Sequence, residues 1–403
     1  MNLARAKSAV VRHIDKAASS LWDLSLAIHR KPEVAFEEKR ASAALAGFLE
    51  ERGFKVERGV AGLPTAFRAR RPAKSGKKPV VSFMSEYDAL PGLGHACGHN
   101  LIGVASAGAA AALASVLDSS AGGVQVLGTP AEEGGGGKVI MAKKGLFRGV
   151  DANMMMHPSA ETRAEVNFLA LAELRLRFYG KASHASATPE RGINALDGVL
   201  ATFSAISALR QHLPSGDRVH GIITDGGEAP NIVPERAAAW FYVRSETPEG
   251  LESLVRRVRD CARGGARSSG ARLRVERNPI GYAPMRANSA LASLFRNNLE
   301  SLGVREPDPL PPLQMGSSDV GNASQAAPTI HPEIQMVEKD VSAHTHAFAR
   351  AAGGRAGRKT LLLGAKALAM TGVDILLDGR ARSRVKAEFR SRAKRSGGKA
   401  RGK

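Results

Sequence analysis

The stretch that decides the fold is Glu86-Tyr-Asp-Ala-Leu-Pro-Gly-Leu-Gly-His-Ala-Cys-Gly-His-Asn100. It brings three kinds of metal-binding side chain, carboxylate, imidazole and thiolate, into fifteen positions. An apolar run at 79–84 enters the stretch and predicts a strand, and a run of small residues at 101–117 leaves it and predicts a helix. The stretch is therefore predicted to follow a strand at a helix N-terminus, the edge at which open α/β sheets bind ligands.

Two further predicted strands end in side chains that bind metals. The strand at 123–127 is followed by Glu132 and Glu133, and a strand at 150–156 ends at His157. Adjacent residues on an extended chain point in opposite directions, so one of the two glutamates can face a metal while the other faces a substrate. Three strand ends in succession, each with a metal-binding side chain, favour a shared metal site over coincidence.

The pattern of predicted elements changes near residue 169 and changes back near residue 281. Between these points the sequence predicts the order β-α-β-β-α-β, which is the ferredoxin-like arrangement. We therefore predict a two-domain α/β fold. Residues 1–168 and 281–379 form a catalytic metal-binding domain, and 169–280 form an inserted ferredoxin-like lid or dimerisation domain.

Length and composition are compatible with this organisation. A chain of 403 residues with 43% apolar residues is long enough for two domains with cores of their own. With two cysteines, Cys97 and Cys261, a disulfide framework is excluded. The N-terminus lacks the apolar region of a signal peptide, and the longest apolar run favours a buried helix over a membrane span. We expect a soluble, cytoplasmic protein.

Half of the net charge of +20 lies in the last 24 residues, 380–403, where eleven lysines and arginines oppose one acid, Glu388. The first prediction is a solvated, disordered tail. The alternative is weak, salt-dependent binding of this tail to RNA, DNA, an anionic membrane or an acidic partner. No helix-turn-helix, zinc-finger or RNA-binding motif accompanies it.

Taken in order, the motifs resemble the M20 metallopeptidase and amidohydrolase family. The similarity is greatest to its branch of aminobenzoyl-glutamate hydrolases, amide-conjugate hydrolases and M20-domain dipeptidases. It covers roughly residues 15–375 and excludes the basic tail. The motifs that carry it are Glu86-Tyr-Asp-Ala-Leu-Pro91, His95-Ala-Cys-Gly-His-Asn100, Glu132-Glu133 before glycines, Met156-His157, Gly180-Lys-Ala-Ser-His184 and His344-Thr345.

The resemblance implies a site with two divalent metal ions, Zn²⁺ or Mn²⁺. Its ligands would be Cys97, His99, Glu133, His157 and His344. Glu132 would be the general base, and Asp88 would orient a ligand. His184, Asn231 and Arg244 of the smaller domain would bind the substrate or its oxyanion. That domain would also form a homodimer, in which its histidine can act across the interface.

Three positions depart from the family pattern or adjoin it. Glu86 stands where other branches have a ligand histidine, and Asn100 stands where many relatives of this branch have aspartate. His346 lies two residues beyond His344.

The predicted function is metal-dependent hydrolysis of the amide bond of an N-acyl or aryl-amide amino-acid conjugate, or of a dipeptide. Two alternatives remain open. One is a related hydrolase that deaminates an aromatic amine. The other is a non-catalytic binding or regulatory subunit, against which the intact Glu132 argues.

Overall fold

A computed structural model of the chain describes residues 2–74, 78–308 and 315–398, with side chains up to Arg392. The chain divides into two compact units. The metal unit comprises Met1–Asn167, Met285–Gln314 and Asp319–Lys403. The inserted unit comprises Phe168–Pro284 and Met315–Ser318. It therefore begins one residue before and ends four residues after the predicted span of 169–280, and it includes the separate segment Met315–Ser318.

The helices are α1 (Leu3–Lys16), α2 (Ala18–His29), α3 (Lys39–Glu50), α4 (His99–Val116), α5 (Gly137–Lys143), α6 (Ala195–Arg210), α7 (Pro248–Ser269), α8 (Ser289–Ser301), α9 (Val320–Ser324), α10 (His346–Ala352), α11 (Arg355–Leu377) and α12 (Gly379–Gly398). The strands are β1 (Lys55–Arg58), β2 (Phe67–Arg71), β3 (Val80–Ser85), β4 (Gly123–Gly128), β5 (Ala152–Met154), β6 (His157–Ser159), β7 (Ala170–Tyr179), β8 (Arg218–Asp225), β9 (Arg236–Ser245), β10 (Arg272–Arg277), β11 (Thr329–Ile330) and β12 (Glu333–Gln335). Two short 3₁₀ helices span Val60–Gly62 and Pro189–Arg191.

The metal unit contains a mixed sheet with the strand order β1-β2-β4-β3-β5-β11. The strands β4, β3, β5 and β11 run parallel, whereas β1 and β2 are antiparallel to their neighbours. Because β4, β3 and β5 are adjacent and parallel, their carboxyl ends meet at one edge of the sheet. Four of the five predicted ligands follow these strands, namely Cys97, His99, Glu133 and His157.

Helix α4 packs tightly behind this edge because its sequence is built from small residues. A Cβ atom at Gly103 would lie 2.5 Å from the carbonyl oxygen of Glu86, so only glycine permits the helix to approach that strand end. Helices α4 and α11 are long and apolar enough to cross a membrane, but 83% and 78% of their apolar windows are buried inside the protein. Both therefore serve as core helices here.

The inserted unit has the predicted order β-α-β-β-α-β. Its sheet is antiparallel, with the strand order β10-β7-β9-β8, which is the ferredoxin-like arrangement. Residues such as Phe178, Phe241 and Val258 form a core of its own between this sheet and helices α6 and α7.

The strand predicted at 150–156 is shorter in the structure. Strand β5 ends at Met154, and His157 instead begins β6, which pairs with β12 in a separate two-stranded parallel sheet. The apolar residues Met155 and Met156 continue the hydrophobic pattern because they are buried, although they are not part of the strand. His157 is thus held by its own pairing with Glu333.

The prediction of a disordered tail is wrong for residues up to 398, which form α12. Val385 is buried against the core, and the carboxylate of Glu388 accepts hydrogen bonds from the amides of Ser289 and Ala290 at the start of α8. Arg392 donates to the carbonyl oxygen of Ala287. Composition alone misled the prediction because the helix is fixed by a few specific contacts. Residues 399–403 lie outside the described part.

Deleting residues 380–403 is expected to destabilise the metal unit. The deletion exposes the site that Val385 fills, which costs about 1.5–3 kcal/mol. It also removes the Glu388 contacts from the first turn of α8, at a cost of about 0.5–2 kcal/mol. Urea unfolding measures the loss, and a chain truncated after Arg392 is the matched control that keeps these contacts. If the chain that lacks residues 380–403 were as stable as the full-length chain, that result would contradict the packing of α12 against the metal unit.

Candidate metal centre

Cys97 and His99 reach the sheet edge because Gly98 allows an exceptionally close approach between two segments. Gly98 has a φ of +78° and precedes α4, which begins at His99. A Cβ atom at Gly98 would lie 2.5 Å from Cγ of Pro158. Only glycine fits both conditions, and the close approach places Cys97 beside His157.

The five predicted ligands converge. The Sγ atom of Cys97 lies 3.7 Å from Nε2 of His157 and 3.4 Å from Nε2 of His344. Glu133 bridges the two sides, with one carboxylate oxygen 3.8 Å from Nε2 of His99 and the other 3.5 Å from Nε2 of His344. Three overlapping groups each hold their ligand atoms within 4.8 Å of one another: Cys97, His99 and His157; Cys97, Glu133 and His344; His99, Glu132 and Glu133.

His344 joins this cluster through its backbone. Its amide donates a hydrogen bond of 2.9 Å to the carbonyl oxygen of Ala96, which ties its loop to the residue before Cys97. His344 also has a φ of +62°, a conformation that is rare for residues other than glycine. Such strain is found where the surrounding structure holds a functional side chain in place.

Asp88 orients two of the predicted ligands at once. One carboxylate oxygen lies 3.0 Å from Nδ1 of His99, and the other accepts a hydrogen bond of 3.0 Å from the amide of Glu133. The contact to Nδ1 leaves Nε2 of His99 facing the cluster. Partners of this kind fix the ring orientation of metal-binding histidines.

The donor set and its electrostatics fit a divalent cation. Nε2 of His99 and Oε1 of Glu133 are buried and make no hydrogen bond within the described part of the chain. Burial would lower the pKa of His99, but Asp88 raises it well above the usual value, so a cation at Nε2 would displace a proton from this imidazole. Burial lowers the pKa of His157 to about 3, which keeps its imidazole neutral as a ligand must be. Sulfur, nitrogen and carboxylate donors together are typical of zinc sites.

Cys97 needs a cation to become a thiolate. Burial raises the pKa of its thiol, and the nearby imidazole of His99 compensates only in part. Metal binding displaces a thiol proton, so a cation in this pocket would shift the group to the ionised form.

Glu132 has the properties of a general base. Burial raises its pKa well above that of an ordinary glutamate, and the carboxylates of Glu86 and Asp319 add to the effect. A base works best when its pKa is raised toward the working pH. It also adjoins Glu133 in sequence and His99 in space.

The departures from the family pattern have different environments. Glu86 is buried, with one oxygen 3.5 Å from Nε2 of His99 and the other 2.7 Å from Nζ of Lys138. Asn100 is turned toward α2, where its amide donates to Oγ of Ser25 at 2.9 Å. His346 is exposed at the start of α10 and belongs to none of the three metal-binding groups found among the described residues.

Sequence reasoning missed a buried glutamate that shapes the loop before Glu132. Glu38 accepts hydrogen bonds from the amide of Ala131 at 2.8 Å and from Oγ1 of Thr65 at 2.8 Å. Ala131 has a φ of +59°, so this contact holds the loop in an unfavourable conformation. Glu38 lies 93 positions from Ala131, and no local pattern in the sequence indicates such a contact.

The substrate-binding candidates lie in the inserted unit. His184 is exposed, and its Nδ1 accepts hydrogen bonds from the amides of Ser186 and Ala187 at 3.3 and 3.2 Å, which leaves the proton of the neutral ring on Nε2. The amide of Ala185 donates to the carbonyl oxygen of Asn231 at 2.9 Å, so the segments of His184 and Asn231 are neighbours.

Arg244 lies apart from these two segments, on β9, where its Nε donates to Nε2 of His220 at 3.3 Å. Burial lowers the pKa of Arg244 below the usual value. Among the described residues of this unit, no hydrogen bond joins Arg244 to His184 or Asn231. The structure therefore brings together two of the three candidates.

Comparisons with known proteins agree with the geometry. The model of peptidase family M20/M25/M40 matches residues 82–357. The Xaa-Arg dipeptidase of Mus musculus is 39% identical over 397 residues, which cover 95% of this chain and 92% of the relative. One of the p-aminobenzoyl-glutamate hydrolase subunits of Escherichia coli is 36% identical over 62% of this chain and 54% of its own length.

Solved structures share the fold at low sequence identity. A dinuclear metal-binding peptidase of the M20 family from Bacillus subtilis superposes with a TM-score of 0.69 at 19% identity, over 90% of this chain and 99% of that one. An aminobenzoyl-glutamate utilization protein from Klebsiella pneumoniae gives a TM-score of 0.71 at 18% identity, over 91% and 98%. The predicted resemblance is thereby confirmed: this chain belongs to peptidase family M20/M25/M40 and is a metal-dependent hydrolase of amide bonds.

Proposed function

We propose that this hydrolase splits dipeptides or releases an amino acid from an N-acyl or aryl-amide conjugate. The observation that carries the proposal is the convergence of five predicted ligands, from four separate segments of the chain, near the buried Nε2 atom of His99, with Glu132 beside them. A binding subunit has no need of a glutamate with a raised pKa at this position.

Two divalent cations are proposed at this centre. The three overlapping donor groups support two neighbouring ions that share ligands, and the relative from Bacillus subtilis is described as a dinuclear metal-binding peptidase. The sulfur of Cys97 favours Zn²⁺, whereas the carboxylates also suit Mn²⁺. When bound, such cations lower the pKa of a coordinated water and polarise the carbonyl that is attacked.

The residues of the chain supply the proton transfers and the orientation. Glu132 takes a proton from the attacking water and returns it to the leaving amine. Asp88 holds the imidazole of His99 and the backbone of Glu133 in position through its two carboxylate oxygens. His184 carries its ring proton on Nε2, where it can donate to a developing oxyanion. Asn231, whose segment neighbours that of His184, is the proposed contact for a substrate carboxylate. The role of Arg244 stays a prediction from the resemblance, because this residue lies on β9 apart from the other two.

Dipeptides are the first substrate class to test. The mouse relative that aligns over nearly the whole chain is named a dipeptidase for Xaa-Arg substrates. Conjugates are the second class, because the hydrolase subunit from Escherichia coli is named for p-aminobenzoyl-glutamate and aligns over a shorter part of the chain.

The test is hydrolysis of an amide panel followed by mass spectrometry. The panel contains dipeptides with basic and neutral C-terminal residues, N-acyl amino acids, aminobenzoyl-glutamate and indole conjugates. Protein loaded with Zn²⁺ or Mn²⁺ is compared with protein treated with a chelator. We expect an amino acid to be released only by the loaded protein. Release of ammonia without an amino acid would favour deamination, and no reaction in folded, loaded protein would favour the binding subunit.

Three further predictions concern partners and location. The homodimer through 169–280 is supported by the edge strand β8, on which Ile222 and Ile223 are 58% and 42% exposed. An exposed apolar edge strand is a surface that proteins usually cover. Binding of polyanions by the basic C-terminal region and a cytoplasmic location stay predictions.

A further inference from the structure

Lys138 is a fully buried lysine between two carboxylates. Its Nζ atom lies 2.7 Å from Oε1 of Glu86 and 2.7 Å from Oδ1 of Asp319, and the three side chains are 0–1% exposed. The backbone amide of Lys138 also donates to Oδ2 of Asp319 at 2.9 Å. Asp319 therefore holds both the main chain and the side chain of this residue.

These contacts join three segments of the metal unit. Glu86 directly follows β3, Lys138 lies in the first turn of α5, and Asp319 directly precedes α9. Lys138 comes immediately after the glycine-rich loop 134–137, which itself follows Glu132 and Glu133. A Cβ atom at Gly137 would lie 2.0 Å from the carbonyl oxygen of Pro130, so the loop is tightly closed where the lysine begins to anchor it.

The positive charge of Lys138 compensates the two buried carboxylates beside it. Burial would lower its pKa, but the carboxylates of Asp319 and Glu86 raise it above the usual value, so the ammonium stays charged. Removing one partner of a buried ion pair leaves the other charge without compensation. Without the ammonium, Glu86 would be a buried carboxylate 3.5 Å from Nε2 of His99, the nitrogen that faces the metal-binding cluster.

We propose that Lys138 is a positioning residue for the reaction. It anchors the loop that carries Glu132 and Glu133, and it neutralises Glu86 so that this carboxylate does not enter the ligand set. The inference rests on the proposed function for the role of Glu132, but its effect on the ligand set is independent of any substrate.

The test compares Lys138→Met with the double variant Glu86→Gln/Lys138→Met. The matched control is Lys7→Met, because Lys7 also pairs with a buried aspartate, Asp374, at 2.7 Å and does not touch the metal-binding cluster. Each protein is checked for folding by circular dichroism and thermal unfolding. The readouts are kcat, KM and the spectrum of the Co²⁺-loaded protein, in which a thiolate ligand gives a charge-transfer band.

We expect Lys138→Met to lower kcat by about 10- to 100-fold, the usual effect of losing a partner that orients metal ligands, with KM changed far less. Its Co²⁺ spectrum should change, and the double variant should recover the wild-type spectrum because the released carboxylate is gone. Lys7→Met should lose thermal stability with unchanged kcat and spectrum. This split between the two lysines is not expected of a merely structural role.

Three results would overturn the proposal. The first is a folded Lys138→Met protein with wild-type kcat and spectrum, and the second is the same loss of kcat in Lys7→Met. If Lys138→Met does not fold, the double variant Glu86→Gln/Lys138→Met decides. The third overturning result is a double variant that is unfolded or whose Co²⁺ spectrum still differs from that of the wild type. If the wild type cleaves no substrate, the proposed function fails, and the Co²⁺ spectra alone still decide the role of Lys138.

Discussion

Glu132→Gln is expected to lower kcat by about 10²- to 10⁴-fold, the usual contribution of a general base. Glutamine has nearly the same shape but accepts no proton from the attacking water. Glu132 shares a metal-binding group with His99 and Glu133, whereas the groups around Cys97 do not include it. Metal binding at Cys97 should therefore survive, and KM should change much less than kcat.

The measurement is steady-state kinetics on whichever amide the panel identifies, with metal content determined in the same samples. Glu37→Gln is the matched control, because Glu37 is exposed and forms an ion pair with Lys39, which is exposed as well. A Glu132→Gln protein that keeps more than a tenth of the wild-type kcat would remove Glu132 from the role of base. Loss of metal together with activity would instead make it a ligand.

Cys97→Ser is expected to weaken metal binding by about 100-fold or more, beyond the 10- to 100-fold typical of residues that only support a ligand. Cys97 contributes to two of the three metal-binding groups, and its sulfur lies within 3.7 Å of both His157 and His344. A serine hydroxyl is a poorer ligand for zinc than a thiolate. The charge-transfer band of the Co²⁺ protein should disappear.

Metal titration by calorimetry, with competition by a chelator, measures the change. Cys261→Ser is the matched control, since Cys261 is the other cysteine of the chain and lies on α7 in the inserted unit. If both variants bind Zn²⁺ like the wild type, Cys97 is not a ligand. If both lose affinity alike, the effect is not specific to the cluster.

The part of the site that sequence predicts best is the part that follows from local pattern. Glu86, Cys97 and His99 follow one strand and Glu133 follows its neighbour, so strand order alone brings them to one edge. The inserted ferredoxin-like order could also be predicted, because strands and helices alternate there with clear periods. His344 could be nominated only through the family resemblance, because the sequence predicts no strand that ends beside it.

The contacts that hold the site together were not predictable in this way. Lys138 forms its ion pair with Asp319, which lies 181 positions away in the sequence. Ala131 donates a hydrogen bond to Glu38, which lies 93 positions away. A lysine after four glycines looks like a solvated loop residue, and nothing local marks it as buried. The helical structure of the C-terminal region was missed for the same reason. Glu388 is one acid among many basic residues, and it can cap α8 only because α8 lies beside it in the fold.

The hydrogen bond between His344 and Ala96 also has a consequence for biosynthesis. Cys97 and His344 lie 247 positions apart, and the chain of the inserted unit is made between them. Domains fold as units while the chain emerges from the ribosome. Cys97 therefore leaves the ribosome long before His344 has been synthesised. The full ligand set is therefore assembled only after residue 344 has been translated. A fragment that stops short of His344 carries an incomplete centre, with one of the three donor groups missing a member.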